Sequence, residues 1–244
     1  ESELRVRRSI IGSTNLLKSV SNPLHGVFDI DYTHTTPSYG LPGGKWAMAS
    51  VTLNDSVSDD GPVMRREFMY ANGQFDRYER EFLGFAHVET HEVDAENANA
   101  LVRVTCDDYD MSSYYSAGNL LSSTVSDGEG QKYTGTSNVY YAYNMTAGGP
   151  INNFSEKEDD DNCIVGWTPL KFSGHIAYEG SQTGLPMSQI RYMYLLSDTH
   201  GEVLTKTRSL RGTLSEDGGD FDTGVSVSYA TMPEGLYGYP SEVK

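Results

Sequence analysis

At 244 residues the chain has room for one large all-β domain or two small ones, and either can bury a sizeable core. Lys and Arg number 18 against 34 Asp and Glu, a net charge of −16 that repels nucleic-acid backbones and anionic bilayers. Apolar residues at 37% and charged residues at 21% exclude a disordered tail, and 17 Tyr with 25 Gly suit half-buried strands joined by tight turns.

No run of about 18 apolar residues occurs, so no membrane-spanning helix is expected. The start Glu1-Ser2-Glu3, without Met or an apolar signal core, reads as a piece of a longer chain. Alternation with a period of two recurs along the sequence while helical periodicity is nearly absent, which predicts an all-β, mainly antiparallel fold of twisted sheets with little helix. In 27–34, Phe28, Ile30 and Tyr32 alternate with Asp29, Asp31 and Thr33. Further strands are expected at 46–53, 82–91, 101–106, 138–145, 190–196, 203–210 and 225–230. Two stretches, 1–95 and 96–244, divide the chain and are also compatible with one continuous unit. Between them, 92–100 loses alternation and reads as a short helix or a linker.

Ser126-Asp127-Gly128-Glu129-Gly130 and Ser197-Asp198-Thr199-His200-Gly201 share an S-D-x-x-G pattern. Asp can cap such a turn and the last Gly can take positive φ, so both read as hairpin tips. Asp59-Asp60-Gly61 and 216–219 look like further acidic loops, and Glu156 to Asp161 is a solvated charge run.

Phosphate-loop, dinucleotide and nucleophile-elbow motifs are all missing. Cys106 and Cys163 stand far apart; they pair in an oxidising compartment, or Cys106 is a plain buried thiol in its strand. His87, Glu89 and His91 share one face of a strand and could hold zinc, but His-Val-Glu-Thr-His is not H-E-x-x-H, and a polar strand face is the expectation. Asp217, Asp220 and Asp222 lack calcium-loop order. Glu79-Arg80-Glu81 matches the E-x-E triplet of ADP-ribosyltransferases, a motif of almost no specificity; it is expected on a strand, with both acids on one face. Tyr114, Tyr115, Tyr140, Tyr141 and Tyr143 could form a sugar-binding platform or ordinary cross-strand packing. No catalytic residue, metal site or cofactor is assigned. A glycan-binding module is the alternative reading, and an acidic-pair glycosidase the weaker one.

Three segments carry a family likeness. Asn15 to Leu24, with Asn22-Pro23 at its end and Asp31-Tyr32 beyond, resembles the N-L-L-K-S-V-x-N-P-L-G-G-x-x-x-x-D-Y signature of the B component of insecticidal Tc toxins and the related SpvB-like proteins. His25 stands where that family usually has Gly. Lys45 to Thr52, containing Trp46, is similar to its W-V-x-x-S-V-T block. Tyr70 to Val88 resembles its most specific stretch through Asp76, Arg77, Glu79, Arg80, Phe82, Leu83, Gly84 and Phe85. Tyr192-Met193-Tyr194, with Asp198 and Gly201, is similar to the Rhs/YD-repeat theme.

The resemblance implies a non-catalytic scaffold in a β shell that encapsulates or presents a toxin polypeptide. Its partners would be the rest of the parent polypeptide and a C-component or Rhs-type toxin, with no nucleic acid, in a secreted or surface-exposed bacterial protein. The ADP-ribosyltransferase of SpvB-like proteins and the self-cleaving aspartates of Tc complexes lie elsewhere in those proteins. The third motif is therefore expected to be a structural corner: Phe82, Leu83, Phe85 and Val88 give dry surface, and Asp76, Arg77, Glu79, Arg80 and Glu81 an ion-pair network. A fragment of shell should also leave an open strand edge near 225–244.

Overall fold

The structure, a computed structural model, describes residues 15–54, 64–94, 97, 100–144, 149–150, 166–178, 185–196, 203–212, 223–229 and 240–243, with backbone alone at 149–150, 185–187 and beyond 194. The chain forms β1 (Ser19–Ser21), β2 (Val27–His34), β3 (Trp46–Asn54), β4 (Met64–Asp76), β5 (Glu81–Asp94), β6 (Ala100–Asp110), β7 (Asn119–Asp127) and β8 (Lys132–Tyr140). There follow β9 (Tyr143–Asn144), β10 (Gly149–Pro150), β11 (Gly166–Trp167), β12 (Leu170–Ala177), β13 (Leu185–Leu196), β14 (Val203–Gly212), β15 (Thr223–Tyr229) and β16 (Pro240–Val243). Among the described residues there is no helix.

Thirteen strands make one antiparallel sheet in the order β1 to β8 and then β12 to β16, while β10, β9 and β11 form a small second sheet. The connectivity is the meander that short turns between alternating segments dictate. Among the described residues each long strand packs chiefly against the strands it is hydrogen-bonded to, and few apolar side chains are buried, as in a single layer. β1 and β16 each have a neighbour on one side only among the described residues.

Two expected elements differ in the structure. The stretch 92–100 is neither helix nor linker where it is described: β5 runs on to Asp94, Asn97 N–H donates to Asp94 Oδ1 at 3.2 Å, and Ala100 N–H donates to Asn97 O at 2.9 Å before β6 begins. The stretch 138–145 breaks after Tyr140, because Tyr141 N–H turns aside to Pro169 O at 2.9 Å and Tyr143 starts the small sheet.

Residues paired across antiparallel strands share a face. The register places Val20, Phe28, Ile30, Val51, Leu53, Phe68, Tyr70 and Val88 together on one face of β1 to β5. The other face carries Asp29, Asp31, Ser50, Thr52, Glu67, His87, Glu89 and His91, and continues through Cys106 and Asp108 to Ser122 and Thr124. On the first face Glu92 of β5 bridges Arg66 of β4 at 2.8 Å and Arg103 of β6 at 3.4 Å. Such a ladder fixes register more than it adds stability, since exposed pairs contribute about 0 to 1 kcal/mol. Buried apolar side chains among the described residues are Leu41, Val93, Tyr143 and Pro169.

Candidate functional site

The densest chemistry lies on the polar face of β5, β6 and β7. His87, Glu89 and His91 line up there because residues two apart point the same way, as the sequence suggested. The sheet adds partners: Asp108 stands opposite His87, and Cys106 opposite Glu89. His87 Nδ1 lies 2.7 Å from Asp108 Oδ1, and its Nε2 lies 3.1 Å from Glu89 Oε1. His91 Nε2 lies 3.0 Å from Glu89 Oε2, and the Ser122 hydroxyl donates to Asp108 Oδ2 at 2.8 Å. The free Cys106 thiol completes a group in which His87, Glu89 and Cys106 offer ligand atoms within 4.8 Å of one another. Cys163 lies outside the described residues, as do Asp217, Asp220 and Asp222, the acidic loop at 59–61, the charge run at 156–161, the second S-D-x-x-G segment, and Asp198 with Gly201.

Hydrogen bonds to Asp108 first and Glu89 second hold the His87 pKa above its ordinary value, against a smaller opposing effect of burial. Bonds from His87 and then His91 hold Glu89 low, and the His87 bond does the same for Asp108. Burial, then the charges of Glu89 and Asp108, push the Cys106 thiol up, so it is not a ready nucleophile at neutral pH. The raised His87 contributes stability below its unfolded pKa of about 6.5 and loses it as pH rises through the folded value. The depressed acids contribute above about 4 and lose it as pH falls through their folded values. With a chelator present, the stability difference between the protein and a His87→Gln variant should therefore peak near pH 5 to 6 in urea titrations. A difference that is flat from pH 5 to 8.5 would disprove the charge-assisted arrangement.

The third sequence motif builds the other organised region. Asp76 Oδ1 accepts Tyr78 N–H at 2.8 Å and Glu79 N–H at 2.9 Å, closing a tight turn between β4 and β5. Arg77 donates to Tyr39 O at 3.0 Å and lies over the Tyr39 ring at 4.4 Å. Register pairs Gln74 with Gly84 and Phe75 with Phe82, leaving Leu83 as the extra residue of a bulge. That extra residue lets Phe82 and Phe85, three apart, meet edge to face at 5.2 Å, while Phe85 also meets Tyr70 at 4.8 Å. Leu41 closes over Gly73, where an added Cβ would fall 2.7 Å from Leu41 Cδ2, and Gly40 O accepts Phe75 N–H at 2.7 Å.

Of the expected corner, Phe82 and Phe85 pack together with Tyr70, while the charged residues are arranged differently. Asp76 spends its carboxylate on the turn and Arg77 its guanidinium on Tyr39, while Arg80 and Glu81 are exposed with no ion pair between them. The E-x-E triplet also departs from the expected strand, since residues 77–80 form the hairpin turn and Glu81 opens β5. The cause is local: an Asp able to bind two successive N–H groups favours a turn over continued pairing.

Residues 2–110 match the family model described as the insecticide toxin TcdB middle/N-terminal region. The matched residues span less than half of the chain. The matched stretch ends with β6, inside the continuous sheet. No curated protein matches the chain. Among solved structures, the crystal structure of TcdB2-TccC3-Cdc42 superposes with a TM-score of 0.62 at 16% identity, covering 92% of this chain and 14% of that one. TcdB2-TccC3 without its hypervariable C-terminal region gives 0.61 at 17% identity, over 88% and 14%. The Tc holotoxin pore of Photorhabdus luminescens, with a mutated TccC3, gives 0.60 at 16% identity, over 88% and 14%. The shared fold is that of a small part of those chains, about 14% of their length.

The Tc toxin B signature has physical reasons in this structure. Asn22 Oδ1 accepts Leu24 N–H at 3.0 Å and Gly26 N–H at 2.8 Å, and His25 N–H donates to Asn22 O at 3.0 Å, so Pro23 holds the second position of a turn where its fixed φ fits. His25 sits at φ +67°, the left-handed region that explains Gly as the usual residue there, and Arg80 has φ +56°. His25→Gly and Arg80→Gly should each raise stability by about 0.5 to 1 kcal/mol, and Arg80→Ala should change it by less than about 1 kcal/mol. Urea midpoints check this; a loss of 2 kcal/mol for Arg80→Ala would restore the ion-pair network. Trp46 pairs edge to face with His34 across β2 and β3 at 5.2 Å, Tyr32 pairs with Met48, and Asp31 is exposed opposite Ser50.

The tyrosines divide between packing and exposure. Tyr141, Tyr143, Trp167 and Tyr194 interlock at ring distances of 5.1 to 6.1 Å, with Tyr143 buried, and so fasten the small sheet to the large one. Tyr140 donates to Leu120 O at 3.1 Å, while Tyr114 and Tyr115 stack edge to face at 5.7 Å with Tyr114 exposed.

Proposed function

We propose that this chain is a non-catalytic wall segment of a Tc toxin B component, supplying strands to a β shell that encloses or presents a toxin polypeptide. The observation that carries the reading is the sheet of thirteen strands, each packed chiefly on its hydrogen-bonded neighbours, with few buried apolar side chains among the described residues. A lone sheet with an apolar stripe on one face reaches stability by having that face covered, and a wall of a larger body meets the need. A self-contained glycan module or glycosidase would be expected to bring its own second layer. The aromatic cluster is interlocked rather than laid out as a platform, and Glu79 and Glu81 stand at an exposed hairpin tip.

The proposed partners are the remainder of the parent polypeptide and a C component of Rhs type, in a secreted or surface-exposed bacterial toxin complex; neighbours of the same fold are named as TcdB2 together with TccC3. Residues 1–95 and 96–244 are proposed as two stretches of one wall, the first of middle-region type and the second Rhs-like. Co-expression of the full-length B component with its C component, followed by limited proteolysis, tests the role. The C component's toxic segment should resist digestion, and should lose that protection when residues 64–127, four strands, are excised and the ends rejoined. Equal resistance in the excised protein would overturn the wall reading.

A further inference from the structure

We propose that His87, Glu89 and Cys106 bind a zinc-class divalent cation, with Asp108 and His91 positioning the ligands. The inference stands apart from the wall reading and does not depend on it. β5 presents His87 and Glu89 on one face, and β6 sets Cys106 directly across from Glu89, so three ligand types from two adjacent strands converge within 4.8 Å. Zinc in a four-coordinate site holds its ligand atoms about 3.3 to 3.8 Å apart, so closure asks for a side-chain movement of about 1 Å. An imidazole, a carboxylate and a thiol form the borderline donor set that selects zinc over calcium or magnesium, which take oxygen alone.

The orientation of the donors supports a ligand more than an ion-pair patch. Asp108 fixes His87 through Nδ1 at 2.7 Å and is itself held by Ser122 at 2.8 Å, which leaves Nε2 aimed at Glu89. A carboxylate behind an imidazole is the usual outer support of a metal-bound histidine. His91 holds Glu89 Oε2 at 3.0 Å, leaving Oε1 beside His87 Nε2. A charge network has no use for a thiol, yet one stands at the third corner, and the cation would replace its proton. The cross-strand neighbours of the three ligands from β4 and β7 are the uncharged Ala71, Met69 and Thr124, while Glu67, opposite His91, is paired with Arg65. Side-chain exposures of 29% for His87 and 33% for Glu89 leave a fourth position open to water.

Cobalt(II) titration of tag-free full chain tests the proposal, because cobalt reports both geometry and thiolate ligation in its absorption. One equivalent should produce the intense visible bands of four-coordinate cobalt with a thiolate charge-transfer band in the near ultraviolet, and zinc should bleach both. Cys106→Ser should abolish the charge-transfer band and Cys163→Ser should keep it. Asp108→Asn should keep the band and weaken binding about 10- to 100-fold. Circular dichroism of each variant verifies the sheet, and the Cys163→Ser result stands even where Cys106→Ser fails to fold. Absence of the band in folded protein, its loss in a folded Cys163→Ser variant, or its survival in Cys106→Ser would each overturn the site.

Discussion

Gly84→Val should destabilise the protein by about 3 kcal/mol, the largest loss expected from a single substitution in the third motif. Gly84 has φ +132°, a backbone region that a β-branched residue cannot enter without strain, and it follows the extra residue of the bulge. An added Cβ would also fall 3.0 Å from Met111 Cε, though that end of a thioether can yield. The backbone term therefore dominates. If the bulge relaxes to escape it, Phe82 and Phe85 return to opposite faces and the aromatic contact at 5.2 Å is lost. Gly84→Ala should cost less, about 1 to 2 kcal/mol, since Ala lacks the branched carbon. Urea unfolding of the full chain measures both; a Gly84→Val loss under 1 kcal/mol would mean that the bulge is not fixed by this glycine.

What the sequence showed and what it hid follow from which interactions are local. Alternation in Val27–His34 and the cap in Asp127 are local, and both stand: Asp127 Oδ1 accepts Glu129 N–H at 2.9 Å and Gln131 N–H at 2.8 Å, and Gly130 has φ +84°. β4 and β7 were not among the expected strands, since Met64–Asp76 and Asn119–Asp127 lack clean alternation of apolar and polar residues. The face shared by His87, Glu89 and His91 was legible from their spacing alone. Cys106, Asp108 and Ser122 were not, since their approach depends on hairpin register. Counting outward from a turn at Asn97 pairs His87 with Asp107, and only the register shift between Glu92 and Val93 brings Asp108 opposite instead; 92–100 also read as helix or linker. The triplet at Glu79 to Glu81 was misplaced because alternation around it masked the turn that Asp76 forms.

Leu53→Asp should separate a covered wall from a free-standing sheet. Leu53 lies on the apolar face between Phe28 and Met64, beside the stripe that runs to Tyr70 and Val88, and is half-buried by its own sheet alone. Where water reaches that face, a carboxylate stays hydrated and the change costs about 1 kcal/mol of lost packing. Where the remainder of the B component covers it, the same carboxylate is desolvated with Val51 and Phe28 as neighbours and no cation directly opposite, at a cost of about 3 to 5 kcal/mol. The variant should thus be tolerated in the 244-residue chain and should strongly destabilise the full-length protein. Thr52→Asp, on the polar face of the same strand, controls for the added charge and should cost less in the full-length protein if the two faces differ as the register indicates. Equal melting shifts for Leu53→Asp in chain and full-length protein would mean that the apolar face is left to solvent, against the wall.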